Sequence, residues 1–303
     1  MSNPVATPPG AWQRLRRNPV AITALNILAT VLAFAVFGLG AFGLDPHATT
    51  AAQFTAPMAA HPFGTDVNGR DSFARVIEGA RISLLVGFCG AFISLFVGTA
   101  YGLISGYAGG RIDALMMRFV EILYAIPRLI IIILVTFIFD RHFKSWLTNA
   151  GLPGLVGYSK IIILILSLGL IEWLTMARIV RGQVLALKSQ QFVLAARALG
   201  QSHTNIILRH LLPNLIGIVI IYLTLTIPAV ILDESFLSFL GLGVQAPQAS
   251  WGSLLSEGAL VINPVKSYWW LLFFPALAMS LTLLALNFLG DALRDALDPR
   301  ARR

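Results

Sequence analysis

The chain has 303 residues, 57% of them hydrophobic and only 12% charged, with a mean hydropathy of +0.78. A soluble domain carries about 25% charged residues, so this much apolar surface excludes a water-soluble globular protein and indicates an integral membrane protein. The net charge of +8 does not call for nucleic acid, because Lys and Arg gather on the cytoplasmic side of membrane proteins and set their orientation.

Residues 1–13 are Pro-rich, and with Arg14, Arg16 and Arg17 they make a cytoplasmic tail ending near residue 19. Basic residues before an apolar stretch would suit a signal peptide, but Val20–Leu44 is too long for one and lacks an obvious cleavage site. It reads as a retained span. A helix needs about 20 apolar residues to cross the hydrocarbon. Six runs qualify: Val20–Leu44, Ile82–Tyr107, Ala114–Phe139, Ile161–Ile179, Leu215–Leu237 and Tyr268–Leu289. With both termini inside, Lys and Arg divide about two to one in favour of the cytoplasmic side. The single Cys89 can form no intramolecular disulfide.

Asp45–Arg81 is the longest external connection, and Phe73, Val76, Ile77 and Ala80 share a face that predicts a short interfacial helix before span two. Within span two, Ser94, Gly98, Gly102 and Gly106 recur every four residues, a smooth stripe that lets another helix approach closely. GYAGGRID comes next as a tight cytoplasmic turn. Span three holds Glu121, Pro127 and Arg128. Pro127 predicts a kink, and an arginine at that depth must face protein or water. It is either a pairing, snorkelling side chain or part of a polar path. Asp140–Lys160 is expected to be an external loop. Span four holds Glu172 and ends at Arg178 and Arg181, and span five is broken by Pro228 and ends in Asp233 and Glu234. Glu121, Arg128, Glu172, Asp233 and Glu234 are the candidates for a translocation path. The Gly- and Pro-rich stretch after span five is expected outside. Trp269 and Trp270 mark the outer interface of span six, where indoles settle.

Between spans four and five lies a polar island, Val184–Asn214. Phe192, Ala195, Ala196 and Leu199 recur at i, i+3, i+4 and i+7 and share one helical face. Gly200 stops that helix, Ser202 or Thr204 can cap a second short one, and Pro213 opens the next apolar run. From the residues alone, two roles stand open: a contact element for a partner, or an amphipathic helix resting on lipid.

No catalytic or metal site is expected. There is no Walker A sequence. Gly38-Leu-Gly40-Ala-Phe-Gly43 matches a dinucleotide-binding pattern only formally, since it ends a membrane span with no strand before it. The five histidines form no metal-ligand spacing.

LAARALG followed by LLPN resembles the EAA signature of membrane subunits of ATP-binding-cassette importers: Glu-Ala-Ala, three residues, Gly, nine residues, then Ile-x-Leu-Pro. Ala195, Ala196, Gly200, Leu212 and Pro213 match, while Leu194 replaces the glutamate and His210 the isoleucine. HPFGTDVNGRD, GARISLLVG, GYAGGRID, SFLGLGVQAPQASWG and NFLGDALRDALDPR are similar to the C-type subunit of the oligopeptide/dipeptide permease family. The resemblance implies an all-α membrane protein with six transmembrane helices, cytoplasmic termini and a cytoplasmic helix–Gly–helix coupling loop between helices four and five. It divides the chain into a tail (1–19), a first helix with its external segment (20–81) and an importer domain (82–303) carrying the coupling loop (184–214). It implies a non-catalytic subunit of a peptide importer in the bacterial cytoplasmic (inner) membrane. Its partners would be a homologous B-type permease, two ATPase subunits that consume the ATP, a periplasmic or lipid-anchored binding protein, and lipid, with no nucleic acid and no cofactor of its own. Leu194, Ala195, Ala196, Gly200, His210, Leu212 and Pro213 would couple to the ATPases. The same architecture importing a nickel complex or glutathione, and a stand-alone channel or secondary transporter using Glu121, Arg128 and Glu172 as a relay, are the alternatives.

Overall fold

The computed structural model describes residues 11–262 and 266–297. The start of the predicted tail and the terminal Arg300, Arg302 and Arg303 lie outside them. The described secondary structure is helical apart from two isolated bridges, Met58 with His61 and Thr65 with Asp71. Its helices are α1 (Ala11–Arg17), α2 (Pro19–Ala41), α3 (Ser72–Ala108), α4 (Gly110–Ala125), α5 (Arg128–Asn149), α6 (Ser159–Leu187), α7 (Gln191–Ala198), α8 (His203–Phe239), α9 (Trp251–Leu260) and α10 (Trp270–Leu297). Five are long and apolar enough to cross a membrane, or six spans result if α4 and α5 together make one.

In that pair the kink expected at Pro127 is a sharp break. α4 and α5 meet at 85°. Pro127 has no N–H to continue α4 and instead sits at ψ 121 as the residue before α5, and Ile126 ahead of it is extended, as a residue preceding proline tends to be. The break is therefore local chemistry, and at it the Ile126 N–H turns back to donate to the Leu123 carbonyl at 3.3 Å. The predicted external loop 140–160 is also mostly helical: α5 runs to Asn149, and a 3-10 segment, Pro153–Tyr158, leads into α6.

The interfacial helix expected before span two is not separate. It is the first part of α3, 37 residues in one helix, which at 1.5 Å per residue is ~55 Å against a hydrocarbon core of ~30 Å. Val76, Ile77 and Ala80 pack on protein, not at a lipid surface. Asp71 caps it by accepting from the Ala74 N–H at 3.0 Å.

α3 and α6 form the most extensive helix pair. A Cβ on Gly98 would lie 2.6 Å from the Met176 Cβ, one on Gly102 2.5 Å from the Ala177 carbonyl oxygen, and one on Gly106 2.8 Å from the Val184 Cβ. Ser94 is fully buried in the same row. Only the missing side chains permit that approach, because no side chain can occupy such distances. Around this seam, Val86, Ile132, Leu168 and Val230 tie α3, α5, α6 and α8 into one apolar layer.

Trp269 and Trp270 part company. Trp269 stays half exposed, but Trp270 is buried and its indole N–H donates to the Thr65 carbonyl at 3.4 Å. It anchors the segment between α2 and α3. In that segment Asp66 organises the turn. Its carboxylate accepts from the Asn68 N–H (2.8 Å), the Arg70 N–H (3.0 Å), Arg70 Nε (2.7 Å) and Arg75 Nη1 (2.9 Å). Arg75 then forks onto Glu257 of α9.

Candidate functional site

Gly200 takes φ +74. The Gly200 N–H donates to the Arg197 carbonyl at 2.9 Å and the Gln201 N–H to the Ala196 carbonyl at 3.1 Å, the paired bonds of a Schellman ending that a left-handed glycine allows. Ser202 then caps the next segment, its hydroxyl accepting from the Asn205 N–H at 3.3 Å. The expected second short helix is instead the start of a long one. His203–Ile206 passes through a π-turn, Ile207–Leu211, and on to Phe239 without interruption. Pro213 comes directly after the π-turn, where the wider coil relieves the clash a proline ring makes with the preceding turn.

Of the four residues that periodicity groups on one face of α7, only Ala196 is buried. Val193 and Ala196 are the buried pair, packed with Val180, Val184, Ile206 and Leu211. Ala196 therefore supports α7 from beneath and is not open to a partner. Ala195 is exposed, as are Phe192 (41%), Leu194 (50%) and Leu199 (80%). The outward surface is thus an apolar ridge, and Leu194 adds to it where the signature has a glutamate.

Polar bonds fix the ridge to the rest of the chain. Gln201 Oε1 accepts from Asn205 Nδ2 (3.0 Å) and faces His210 Nε2 (2.9 Å), so His210 locks the turn across Gly200. Leu212 is half-buried beyond it and Pro213 exposed. Tyr107 at the end of α3 meets His203 Nδ1 at 2.7 Å, and Lys188 Nζ donates to the Gly106 carbonyl at 2.9 Å. One turn away, Arg181 grips Asp113 with two bonds of 2.6 Å, and Asp113 also accepts from Ser105 at 2.5 Å. GYAGGRID is therefore the clamp that binds the ends of α3, α4 and α6, with Gly109 and Gly110 both at positive φ.

The path candidates separate into three places. Arg128 bridges two helices: Nη1 donates to Glu172 Oε1 at 3.0 Å and Nη2 to Asp233 Oδ1 at 2.9 Å. The arginine side chain is 54% exposed, whereas those of Glu172 and Asp233 are 12% and 9% exposed. Arg128 and Glu172 line a cleft of about 210 Å³ with Tyr124, Pro127, Ile171 and Thr175, and Asp233 is tied to it through Arg128. Glu121 is elsewhere, exposed and 3.4 Å from Arg118. Glu234 is fully buried and opens on no cleft. It accepts from Ser238 (2.6 Å), Ser83 (3.1 Å) and Ser235 (3.3 Å), and the Trp251 N–H reaches Ser83 Oγ at 3.2 Å. This hydroxyl cluster pins α9 to α3 and α8.

The residues missed in the sequence are partners of those found: Asp113, Lys188, Gln201 and the serines around Glu234. Arg81 is another. It donates to the Ala35 and Val36 carbonyls, both at 3.0 Å, at the π-turn Phe34–Gly38 of α2. The intramembrane Arg128 is visible in the sequence as a cost that needs an acid, but nothing local names an acid 44 or 105 residues away. Among the described residues no group of three His, Cys, Asp or Glu side chains could hold a metal ion.

Residues 98–303 match the family model described as the inner membrane component of binding-protein-dependent transport systems. Residues 10–62 match that of the N-terminal TM domain of oligopeptide transport permease C. The chain is 46% identical over 297 residues to the dipeptide transport system permease protein DppC of Bacillus subtilis, covering 97% of this chain and 86% of that one. It is 45% identical to the oligopeptide transport system permease protein OppC of Haemophilus influenzae (96% and 88% covered) and 42% identical to that of Escherichia coli (96% and 92%).

Proposed function

The chain belongs to the family of inner-membrane components of binding-protein-dependent transport systems, and from that premise we propose that it is the C-type membrane subunit of an ATP-driven peptide importer. Its near-full-length similarity to oligopeptide and dipeptide permease proteins supports the substrate class. In this reading it lies in the bacterial cytoplasmic membrane with both termini inside and forms half of the translocation path. A homologous permease supplies the other half, and a binding protein delivers peptide from outside. Two ATPase subunits bind beneath and hydrolyse the ATP.

The observation that carries the coupling role is the apolar ridge of α7. Phe192, Leu194 and Leu199 are held outward by a buried underside and a locked glycine turn. A ridge so fixed suits a rigid docking surface, and with Leu194 in place of an acid its grip rests on shape and apolar contact. α7 is joined to α6 at one end and α8 at the other, so a push on α7 moves both as rigid bodies.

The test is Gly200→Val with the partner chains co-expressed. A Cβ at Gly200 meets nothing within 4 Å, so the position has room for a first side-chain carbon, while a β-branched residue at positive φ costs about 1–2 kcal/mol and redirects Gln201. Membrane levels should hold and the ATPase should still co-purify, with ATP-dependent peptide uptake falling sharply. Unaltered uptake in this variant would sink the coupling role. Failure of any ATPase to co-purify with the wild type would sink the importer reading.

A further inference from the structure

Three features around the Arg128 cluster point the same way. Two carboxylates, Glu172 and Asp233, share one guanidinium, so with both ionised the cluster carries one negative charge in excess. Asp233 Oδ2 is buried and has no hydrogen-bond partner. The cleft is bordered by the broken end of α4, from Leu123 to Pro127, where the C-terminal end of a helix dipole places partial negative charge. The neighbouring cation, Arg178, stacks 3.8 Å over the ring of Tyr124 at the edge of the same cleft and is not paired with either acid. The surroundings therefore favour one more cation, and one with several donors, as an ammonium has.

Arg128 is the exposed member. It begins α5 next to the Pro127 break, and more than half of its side chain is exposed, while both acids are largely buried. Withdrawing Arg128 with nothing in its place would leave two buried carboxylates uncompensated, which is strongly destabilising. Replacing it by another cation keeps the charge. We propose that Arg128 is a tethered stand-in for a primary ammonium group of the transported solute, and that Glu172 and Asp233 pass from Arg128 to that ammonium as the solute goes through. The site selects for a primary amine, either the free N-terminus of a peptide or a lysine side chain. This rests on the peptide-importer reading for its biological substrate but not for its chemistry.

Two measurements test it. The complete transporter, with its partner chains and binding protein, is reconstituted in proteoliposomes and given trialanine, N-acetyl-trialanine and N-acetyl-Ala-Lys-Ala at equal occupancy of the binding protein. Wild type should prefer the first and third over the second. Glu172→Gln with Asp233→Asn should lower that preference about tenfold, the scale of one lost charge-assisted hydrogen bond. The binding protein is unchanged, so its own preference cancels. A preference for trialanine alone assigns the site to the N-terminus; a preference for the lysine peptide as well assigns it to any primary amine. An equal slowing of all three peptides would make the cluster a purely structural tie and overturn the proposal.

The second measurement does not depend on transport. Arg128→Cys in a Cys89→Ser background is labelled with methanethiosulfonates carrying either an ammonium or a sulfonate. The ammonium reagent should react about tenfold faster, beyond its advantage on a free thiol, and the acid-pair substitutions should erase that margin. No margin overturns the proposal. A clear margin alongside no peptide uptake by the wild type would support the site and sink the peptide reading instead.

Discussion

The two sides of α6 are built on opposite principles. Toward α3 it meets a glycine row at backbone distance, with Gly102 leaving room for no Cβ. Toward α4 and α5 it offers Glu172 to a half-exposed arginine across an open cleft. The first contact is dispersion between surfaces that fit in one register only. The second is an ion pair that can exchange its cation. A helix with one fixed face and one exchangeable contact carries a displacement as a body with α3 while the cation held by Glu172 changes beside it. Because α7 hangs from the end of α6, the division lies where a coupling motion needs it.

The largest effect that could break this contrast is Gly102→Leu. A single Cβ already falls 2.5 Å from the Ala177 carbonyl and 2.8 Å from the Val180 Cβ, and backbone cannot swing aside as a side chain can. Overpacking commonly costs about 1–3 kcal/mol and occasionally more, and this site belongs at the upper end. Thermal unfolding in detergent should show a large fall in midpoint or loss of the folded species. A variant that melts like wild type would show that α3 and α6 are not locked.

A smaller loss is expected at the end of the same seam. Asp113→Asn removes the charge that Arg181 grips with two bonds and Ser105 with a third. Hydrogen bonds to charged groups contribute about 1.5–3 kcal/mol, and Arg181 is one-third exposed, so about 1.5 kcal/mol is expected after solvent screening. The same melting experiment measures it. A loss exceeding that of Gly102→Leu would place the stability of the seam in its clamp and not in its glycines.

The range of the forces involved decides how much of this is legible in the sequence. The glycine row is legible because close helix approach imposes a four-residue spacing that survives in one dimension, and the Gly200 turn because positive φ has a local residue preference. The α4–α5 break is only half legible. Pro127 predicts a kink, but an 85° bend also needs neighbours that hold α5 away from the line of α4. The burial of α7 is half legible for a similar reason. Phe192, Ala195, Ala196 and Leu199 share a helical face, yet of these only Ala196 is buried, with Val193, toward α6 and α8. Periodicity finds an apolar face without saying which apolar face has something to pack on. The pairing of Arg128 with Glu172 and Asp233, and of Arg181 with Asp113, joins residues distant in sequence, so no spacing could reveal it.

The smallest expected effect is also the sharpest control, because it applies the same kind of change where the packing argument predicts the opposite sign. Gly217 lies inside α8, in a helix stretch facing the space between α6, α8 and α10, and a Cβ there would meet nothing within 4 Å. Glycine in a helix interior is about 0.8–1.0 kcal/mol less favourable than alanine, chiefly through backbone entropy lost on folding. Gly217→Ala should therefore raise the melting midpoint slightly, by up to about 1 kcal/mol of stability, while Gly98→Ala, with its Cβ 2.6 Å from the Met176 Cβ, should lower it. If both substitutions destabilise, glycine in these helices serves flexibility throughout, and the contrast between the locked and open sides of α6 loses its physical basis. If Gly217→Ala stabilises the protein but slows transport, the open space beside Gly217 is one that the helices close into during the cycle, which would extend the contrast from α6 to α8.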